Sequence, residues 1–146
     1  MKQDIDPYAI LLVDDNQVDV DLTILALSRI NFTKPVQIAR DGAETLEIIE
    51  QWEAGSPVPR LILLDIKLPK VSGLEVLKVL KSSSKTRHIP VVMLTSSNND
   101  ADIRTAYDLG ANSYITKPVD FDKFIVLTTA ICDYWIGLNV RPEVLG

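Results

Sequence analysis

Residues 61–70 read LILLDIKLPK. Four apolar residues, Leu61 to Leu64, have the length and continuity of a β-strand buried on both faces, the form that parallel strands take when helices cover both sides of a sheet. The run stops on the carboxylate of Asp65, a charge that a buried strand end tolerates only with compensation nearby. Outward from this strand, short apolar runs alternate with longer segments of helical period. Upstream, Tyr8 to Val13 reads as a strand ending at Asp14-Asp15, and Asn16 is an N-cap for a helix from Gln17 to about Ile30. Lys34 to Ala39 is a second strand. Asp41-Gly42 turns the chain into AETLEIIEQWEAG, with Leu46, Ile49 and Trp52 at helical spacing, which Gly55, Pro57 and Pro59 terminate. The strand containing the opening run spans Arg60 to Asp65. Downstream, LEVLKVLK sets Leu74, Leu77 and Leu80 against Lys78 and Lys81, an amphipathic helix. Pro90 opens a fourth strand, PVVMLT. A fourth helix, Asn98 to Leu109, ends at Gly110, and Ala111 to Thr116 is the fifth strand. Asp120 caps a last helix whose predicted apolar face carries Phe121, Phe124, Ile125, Thr128, Ile131 and Trp135.

Five rounds of strand and helix predict an α/β fold with helices on both faces of a parallel sheet: a flavodoxin-like, three-layer (βα)5 sandwich with strand order 2-1-3-4-5. The 146 residues suit a single domain, residues 1–146, with a core over about 8–136 and a tail over 137–146; no output domain is expected. A net charge of -5 gives no footprint for nucleic acid or anionic lipid. Cys132 is the single cysteine, which excludes an intrachain disulfide and fits a reducing compartment. The N-terminal MKQDIDPYAI lacks the form of a signal peptide, and no segment approaches the roughly 20 apolar residues of a membrane span. A cytoplasmic protein with no membrane or nucleic-acid partner is expected.

In open α/β sheets, sites form outside the carboxyl ends of the strands. Those ends carry Asp14 and Asp15 on strand one, Asp65 on strand three, Thr95 on strand four and Lys117 on strand five. Three crowded carboxylates repel and are driven toward protonation unless a cation shares the space. With oxygen donors and neither His nor Cys beside them, Mg2+ is the matching ion, and it commonly retains waters and engages a phosphate. Lys117 then supplies an ammonium and Thr95 a hydroxyl to phosphoryl oxygens. Asp65 is the candidate nucleophile, aspartyl phosphates being a known class of intermediate.

With LLVDDN, LILLDIKLPKVSG, VVMLTS and YITKP standing in this order, and separations of 50, 30 and 22 residues between Asp15, Asp65, Thr95 and Lys117, the chain resembles the receiver domains of two-component response regulators over roughly residues 8 to 136. The resemblance implies a phosphoacceptor that takes a phosphoryl group from a histidine kinase on Asp65. It further implies Mg2+ bound by Asp15, Asp65 and the backbone carbonyl of Lys67, with Asp14 acting through a metal-bound water. Thr95 would move toward the phosphoryl group while Tyr114 swings inward, altering the surface of the fourth helix and fifth strand. The loop LPKVSG, the stretch YDLGANSYITKPV and the ending DYW are similar to small receivers paired with cyanobacterial phytochromes, although Ser72 stands where an acid often precedes the glycine. This implies a phytochrome-type kinase as partner and a homodimer through the fourth helix, fifth strand, last helix and tail. Phe121, Trp135 and Ile136 are the interface candidates; Trp135 and Ile136 could equally close the domain's own core.

Pro118 after Lys117 is a candidate cis-proline, a geometry that would aim the lysine inward. His88, in the polar stretch SSSKTRHIP, is expected at the surface, and Cys132 as a small buried hydrophobe or interface residue. Two other functions compete. A Mg2+-dependent aspartyl-nucleophile phosphohydrolase would need a second acid two residues after the nucleophile, where Lys67 stands. A phosphorylation-independent pseudo-receiver would lack part of a pocket whose five residues are all present. A nucleotide site would need a glycine-rich or Ser/Thr loop after strand one, and DDNQVD is the wrong chemistry for an anion. The chain is therefore expected to be no enzyme beyond catalysing its own phosphorylation and dephosphorylation.

Overall fold

The structure, a computed structural model, describes residues 8–142. Five strands, β1 (Ile10–Val13), β2 (Val36–Ala39), β3 (Leu61–Leu64), β4 (Val91–Thr95) and β5 (Ser113–Thr116), form one parallel sheet in the order β2-β1-β3-β4-β5. They alternate with α1 (Gln17–Arg29), α2 (Gly42–Glu53), α3 (Gly73–Ser82), α4 (Asp100–Asp108) and α5 (Phe121–Cys132). The expected fold class and strand order are both present. The strands are shorter than the sequence suggests because their polar or proline-flanked ends lie outside the ladder.

The pleat explains the three layers. Leu11, Val13, Ile62, Leu64, Val91 and Met93 point to one face, where Ile48, Ile49 and Trp52 of α2, Val76, Leu77 and Leu80 of α3 and Ala106 of α4 cover them. Their neighbours Ile10, Leu12, Leu61, Leu63 and Val92 point to the other face and meet Val20 and Leu27 of α1 and Ile131 and Cys132 of α5. Each fully buried leucine or isoleucine contributes about 1.5–3 kcal/mol, so β1 and β3, apolar on both faces, form the rigid centre of the sheet.

The caps follow the local chemistry. Asn16, Asp41, Ser72, Asn99 and Asp120 each accept a backbone N–H in the first turn of the helix that follows. Ser72 thus has a local role as the N-cap of α3, its hydroxyl accepting from Leu74 N–H at 3.1 Å. Lys81 is more than a solvated lysine on the polar face of α3: its ammonium donates to the carbonyls of Arg87 and Ile89 and to Asn112 Oδ1, at 3.0–3.1 Å, tying α3 to the segments before β4 and β5.

The last helix departs from the expected face. After Cys132 the chain widens into a π-helical turn, Asp133–Leu138, where Asn139 N–H donates to Tyr134 O, five residues back. Trp135 and Ile136 are half-buried and pack onto the α1/α5 core, so they help to close the domain. Phe121, on the apolar stripe and a candidate for an interface, sits in the first turn of α5 with 61% of its surface exposed. Phe124 and Ile125 take the buried positions, because the helix meets the sheet only from its second turn.

Candidate functional site

Backbone hydrogen bonds extend the sheet past its last paired residues and aim the site. Asp14 N–H donates to Ala39 O (3.0 Å), Asp65 N–H to Val13 O (3.0 Å) and Lys117 N–H to Thr95 O (2.7 Å). Three functional residues on three different strands are therefore mounted on one ladder at its carboxyl edge.

Their side chains converge. The ammonium of Lys117 donates to Asp14 Oδ2 at 2.7 Å, Asp19 Oδ2 at 2.8 Å and Asp65 Oδ2 at 3.0 Å. The Lys117 side chain is only 7% exposed. One carboxylate oxygen each from Asp14, Asp15 and Asp65 falls within 4.8 Å of the others. Asp14 has both oxygens engaged, Oδ2 by Lys117 and Oδ1 by Asn16 N–H at 2.9 Å, whereas Asp15 is exposed. Asp65 divides its carboxylate: Oδ2 faces Lys117, while Oδ1 is buried without a hydrogen-bond partner. A buried carboxylate oxygen left unpaired is costly, and the gathering of Asp65 with two more acids fits a hard cation with oxygen ligands.

The charge balance is uneven. Burial raises the pKa of Asp14 above the ordinary carboxylate value despite the pull of Lys117. For Lys117, burial works to lower the pKa, but the hydrogen bonds to Asp14 and Asp19 outweigh it and hold the group above the usual lysine range. The two directions have different sources: burial dominates at Asp14, whereas the acids that share the ammonium dominate at Lys117.

Thr95 is fully buried, and its hydroxyl oxygen accepts from Ser97 N–H at a long 3.4 Å. Tyr114 donates its hydroxyl to Ser97 O at 2.8 Å. Ser97 Oγ in turn donates to Asp102 Oδ2 of α4 at 2.6 Å. The loop after β4 thus joins Thr95, Tyr114 and α4 in one network. Lys67 is exposed in the loop after β3. That loop is pinned by two glycines: a Cβ on Gly73 would lie 1.9 Å from the carbonyl oxygen of Asp65, and one on Gly42 would lie 2.0 Å from that of Val71. Only a residue without a side chain lets α3 begin so close to the end of β3.

The cis expectation at Pro118 is corrected: no cis peptide bond occurs among the described residues. Lys117 reaches the pocket through the β5 ladder and the attraction of three carboxylates, so the trans bond, intrinsically preferred before proline, suffices. Asp19 was not foreseen. In sequence it reads as an ordinary acid in the first turn of α1, and only its place opposite the end of β5 could have marked it. Ser97 and Asp102 were likewise hidden, in a loop and a helix start rich in polar residues. His88 is exposed, as expected.

The comparisons with known proteins agree with this geometry. The family model described as "Response regulator receiver domain" matches residues 10–129. The probable methanogenesis regulatory protein FilR2 of Methanothrix harundinacea is 43% identical over 138 residues, 94% of this chain and 89% of its own length. Response regulator Rcp1 of Synechocystis sp. is 36% identical over 138 residues, covering 93% of this chain and 94% of its own. The crystal structure of its Mn(2+)-bound form superposes with a TM-score of 0.86 over 94% of this chain and 100% of that one, at 34% identity. The phosphorylated cyanobacterial phytochrome response regulator RcpA gives a TM-score of 0.87 at 37% identity, over 94% of this chain and 99% of its own. A five-stranded parallel sheet presenting acids, a threonine and a lysine at one edge, matched over nearly its whole length, places this chain in the response regulator receiver domain family of two-component systems.

Proposed function

We propose that this protein is a phosphoacceptor that takes a phosphoryl group from a histidine kinase onto Asp65 and changes its binding surface in response. The observation that carries the reading is the divided carboxylate of Asp65, with Oδ2 held by Lys117 and Oδ1 buried and unpartnered. In the transfer an Asp65 oxygen forms a bond to phosphorus as the phosphorus–nitrogen bond of the phosphohistidine breaks, and the imidazole nitrogen keeps the electron pair. Lys117 and Thr95 donate to the phosphoryl oxygens.

Asp15, Asp65 and the carbonyl of Lys67 would hold Mg2+, with Asp14, whose oxygens are already engaged, contributing through water. When bound, the ion supplies neutralising charge for the acids and the incoming phosphoryl group. The network through Ser97 gives the output route: a shift of Thr95 toward the phosphoryl group disturbs the loop whose carbonyl holds Tyr114, and so the α4–β5 face. A phosphohydrolase lacks its general acid, since Lys67 follows Asp65 by two residues.

The kinase proposed is of phytochrome type, on the likeness to Rcp1 and RcpA. FilR2, more similar in sequence, is a probable methanogenesis regulator, so phosphotransfer profiling against several histidine kinases is the discriminating measurement. The chemistry is tested with a small acyl phosphate and Mg2+: one phosphoryl group is expected on the wild type and none on Asp65→Asn, and undiminished labelling of Asp65→Asn would refute the assignment. A homodimer is proposed through α4, β5, α5 and the C-terminal tail, of which residues 143–146 lie outside the described residues; Tyr107, Val119, Phe121 and Val126 are exposed along this face. Light scattering should give a mass near twice 16.2 kDa for the protein and near 16.2 kDa for Val126→Glu; a monomeric wild type at high concentration refutes this. No helix among the described residues is long and apolar enough to cross a membrane.

A further inference from the structure

We infer that Asp19 is a positioning residue for phosphoryl transfer: it clamps Lys117 from α1 so that the ammonium stays in place while its bond to Asp65 is exchanged for one to the phosphoryl group. The inference rests on the phosphoacceptor reading of Asp65.

A lysine ammonium has three N–H donors and no acceptor. Here all three are taken, by Asp14, Asp19 and Asp65 at 2.7, 2.8 and 3.0 Å. The longest of them, to Asp65, is the one that phosphorylation weakens, because the carboxylate loses its charge on becoming an acyl phosphate while the phosphoryl oxygens offer a charged acceptor. Asp14 alone would leave Lys117 a single tether, on β1. Asp19 adds a second from α1, so the ammonium is held from two directions and presents its third N–H to whatever replaces the Asp65 oxygen.

The helix start frees Asp19 for this task. Asp19 is the third residue of α1, where an acid often folds back onto the backbone N–H of the N-cap residue. In this chain Asn16 N–H is already satisfied by Asp14 Oδ1 at 2.9 Å. Asp19 N–H is capped by Asn16 Oδ1 at 3.1 Å, and Thr23 Oγ1 donates to Asp19 O at 2.8 Å. The backbone is thereby fixed and the carboxylate left to meet Lys117, with its side chain 19% exposed. Asp21, on the same helix, accepts from Gln17 Nε2 at the surface and serves as the control acid.

Two readouts test the clamp. In metal-free buffer, with folding checked by circular dichroism, an amine-selective acylating reagent followed by peptide mass spectrometry should modify Lys117 about tenfold faster in Asp19→Ala than in wild type, the scale of losing one charge-assisted hydrogen bond. Asp21→Ala should match wild type, and Asp19→Asn, which keeps an oxygen acceptor, should fall between. Single-turnover phosphorylation by acetyl phosphate with Mg2+ should be about tenfold slower in Asp19→Ala on the wild-type background, with no further loss on a Lys117→Ala background, because the effect passes through Lys117. Unchanged Lys117 acylation, or equal losses on both backgrounds, overturns the clamp. Faster acylation of Lys117 in Asp19→Ala, together with a wild type that takes no phosphoryl group, keeps the clamp but overturns the assigned chemistry.

Discussion

Replacing Lys117 by methionine keeps the length and apolar stem of the side chain and removes only the charge. In the structure that charge makes three hydrogen bonds of 2.7–3.0 Å to carboxylates, two of which, Asp14 and Asp65, are buried. Removing one partner from a buried ionic group costs about 3–5 kcal/mol, mostly because the remaining charges are left uncompensated. A domain of this size has a stability of about 5–15 kcal/mol, so the loss should be a large fraction of the whole. In metal-free buffer at pH 7, Lys117→Met should therefore show a markedly lower urea midpoint with an unchanged slope.

The pH dependence gives the sign. Burial already holds the folded-state pKa of Asp14 above 3.8, so this group stabilises the fold most below 3.8, and that contribution is lost as pH rises through the folded-state value. Without the ammonium this tendency strengthens. The deficit of Lys117→Met should be largest at neutral pH and shrink as acid protonates Asp14. In the wild type the raised pKa of Lys117 contributes stability below 10.5 that disappears as pH climbs through its folded-state value. Mg2+ should also narrow the deficit, because the acids left uncompensated in the variant bind a cation more tightly than in wild type, and a ligand at about 100 times its dissociation constant adds roughly 2.7 kcal/mol to the state that binds it. A variant within about 0.5 kcal/mol of wild type at pH 7 without metal, well under the cost of unpairing a buried charge, would refute this account of the pocket.

Two other predictions test the supports of the site. Gly73→Ala drives a Cβ to within 1.9 Å of the Asp65 carbonyl, so it should lower stability by about 1–3 kcal/mol or more in thermal unfolding and slow phosphorylation by displacing the acceptor; wild-type behaviour in both would contradict the close approach. Cys132 is buried and its thiol is pushed up to about 12, so a disulfide reagent at pH 8 should leave the native protein unmodified and react once it is unfolded in urea.

The fold could be read from local pattern because each element announces itself within a few residues. The apolar runs at β1, β3 and β4 are continuous where both faces are covered. The caps Asn16, Asp41 and Asp120 stand where helix starts need acceptors. Four strand ends supplied Asp14, Asp15, Asp65, Thr95 and Lys117 as candidates, since a parallel doubly wound sheet delivers its carboxyl ends to one edge. Helical spacing gave the stripe from Phe121 onward but not the residue at which the helix first touches the sheet, which is Phe124. Trp135, which the sequence left open between core and interface, packs onto the α1/α5 core from a π-helical turn that helical spacing does not foretell.

By itself, then, the sequence determined the alternation of strand and helix, the apolar faces and the chemistry offered at the strand ends, all properties of residues close together in the chain. The tertiary structure decided how those groups share one another. Lys117 lies 98 residues from Asp19 and 103 from Asp14, and whether an ammonium serves one carboxylate or three depends on where α1 starts relative to β5. The same holds for the divided carboxylate of Asp65. Val13, Lys117 and Gly73, from three other parts of the chain, fix the strand end, with Oδ2 on the ammonium and Oδ1 buried without a partner.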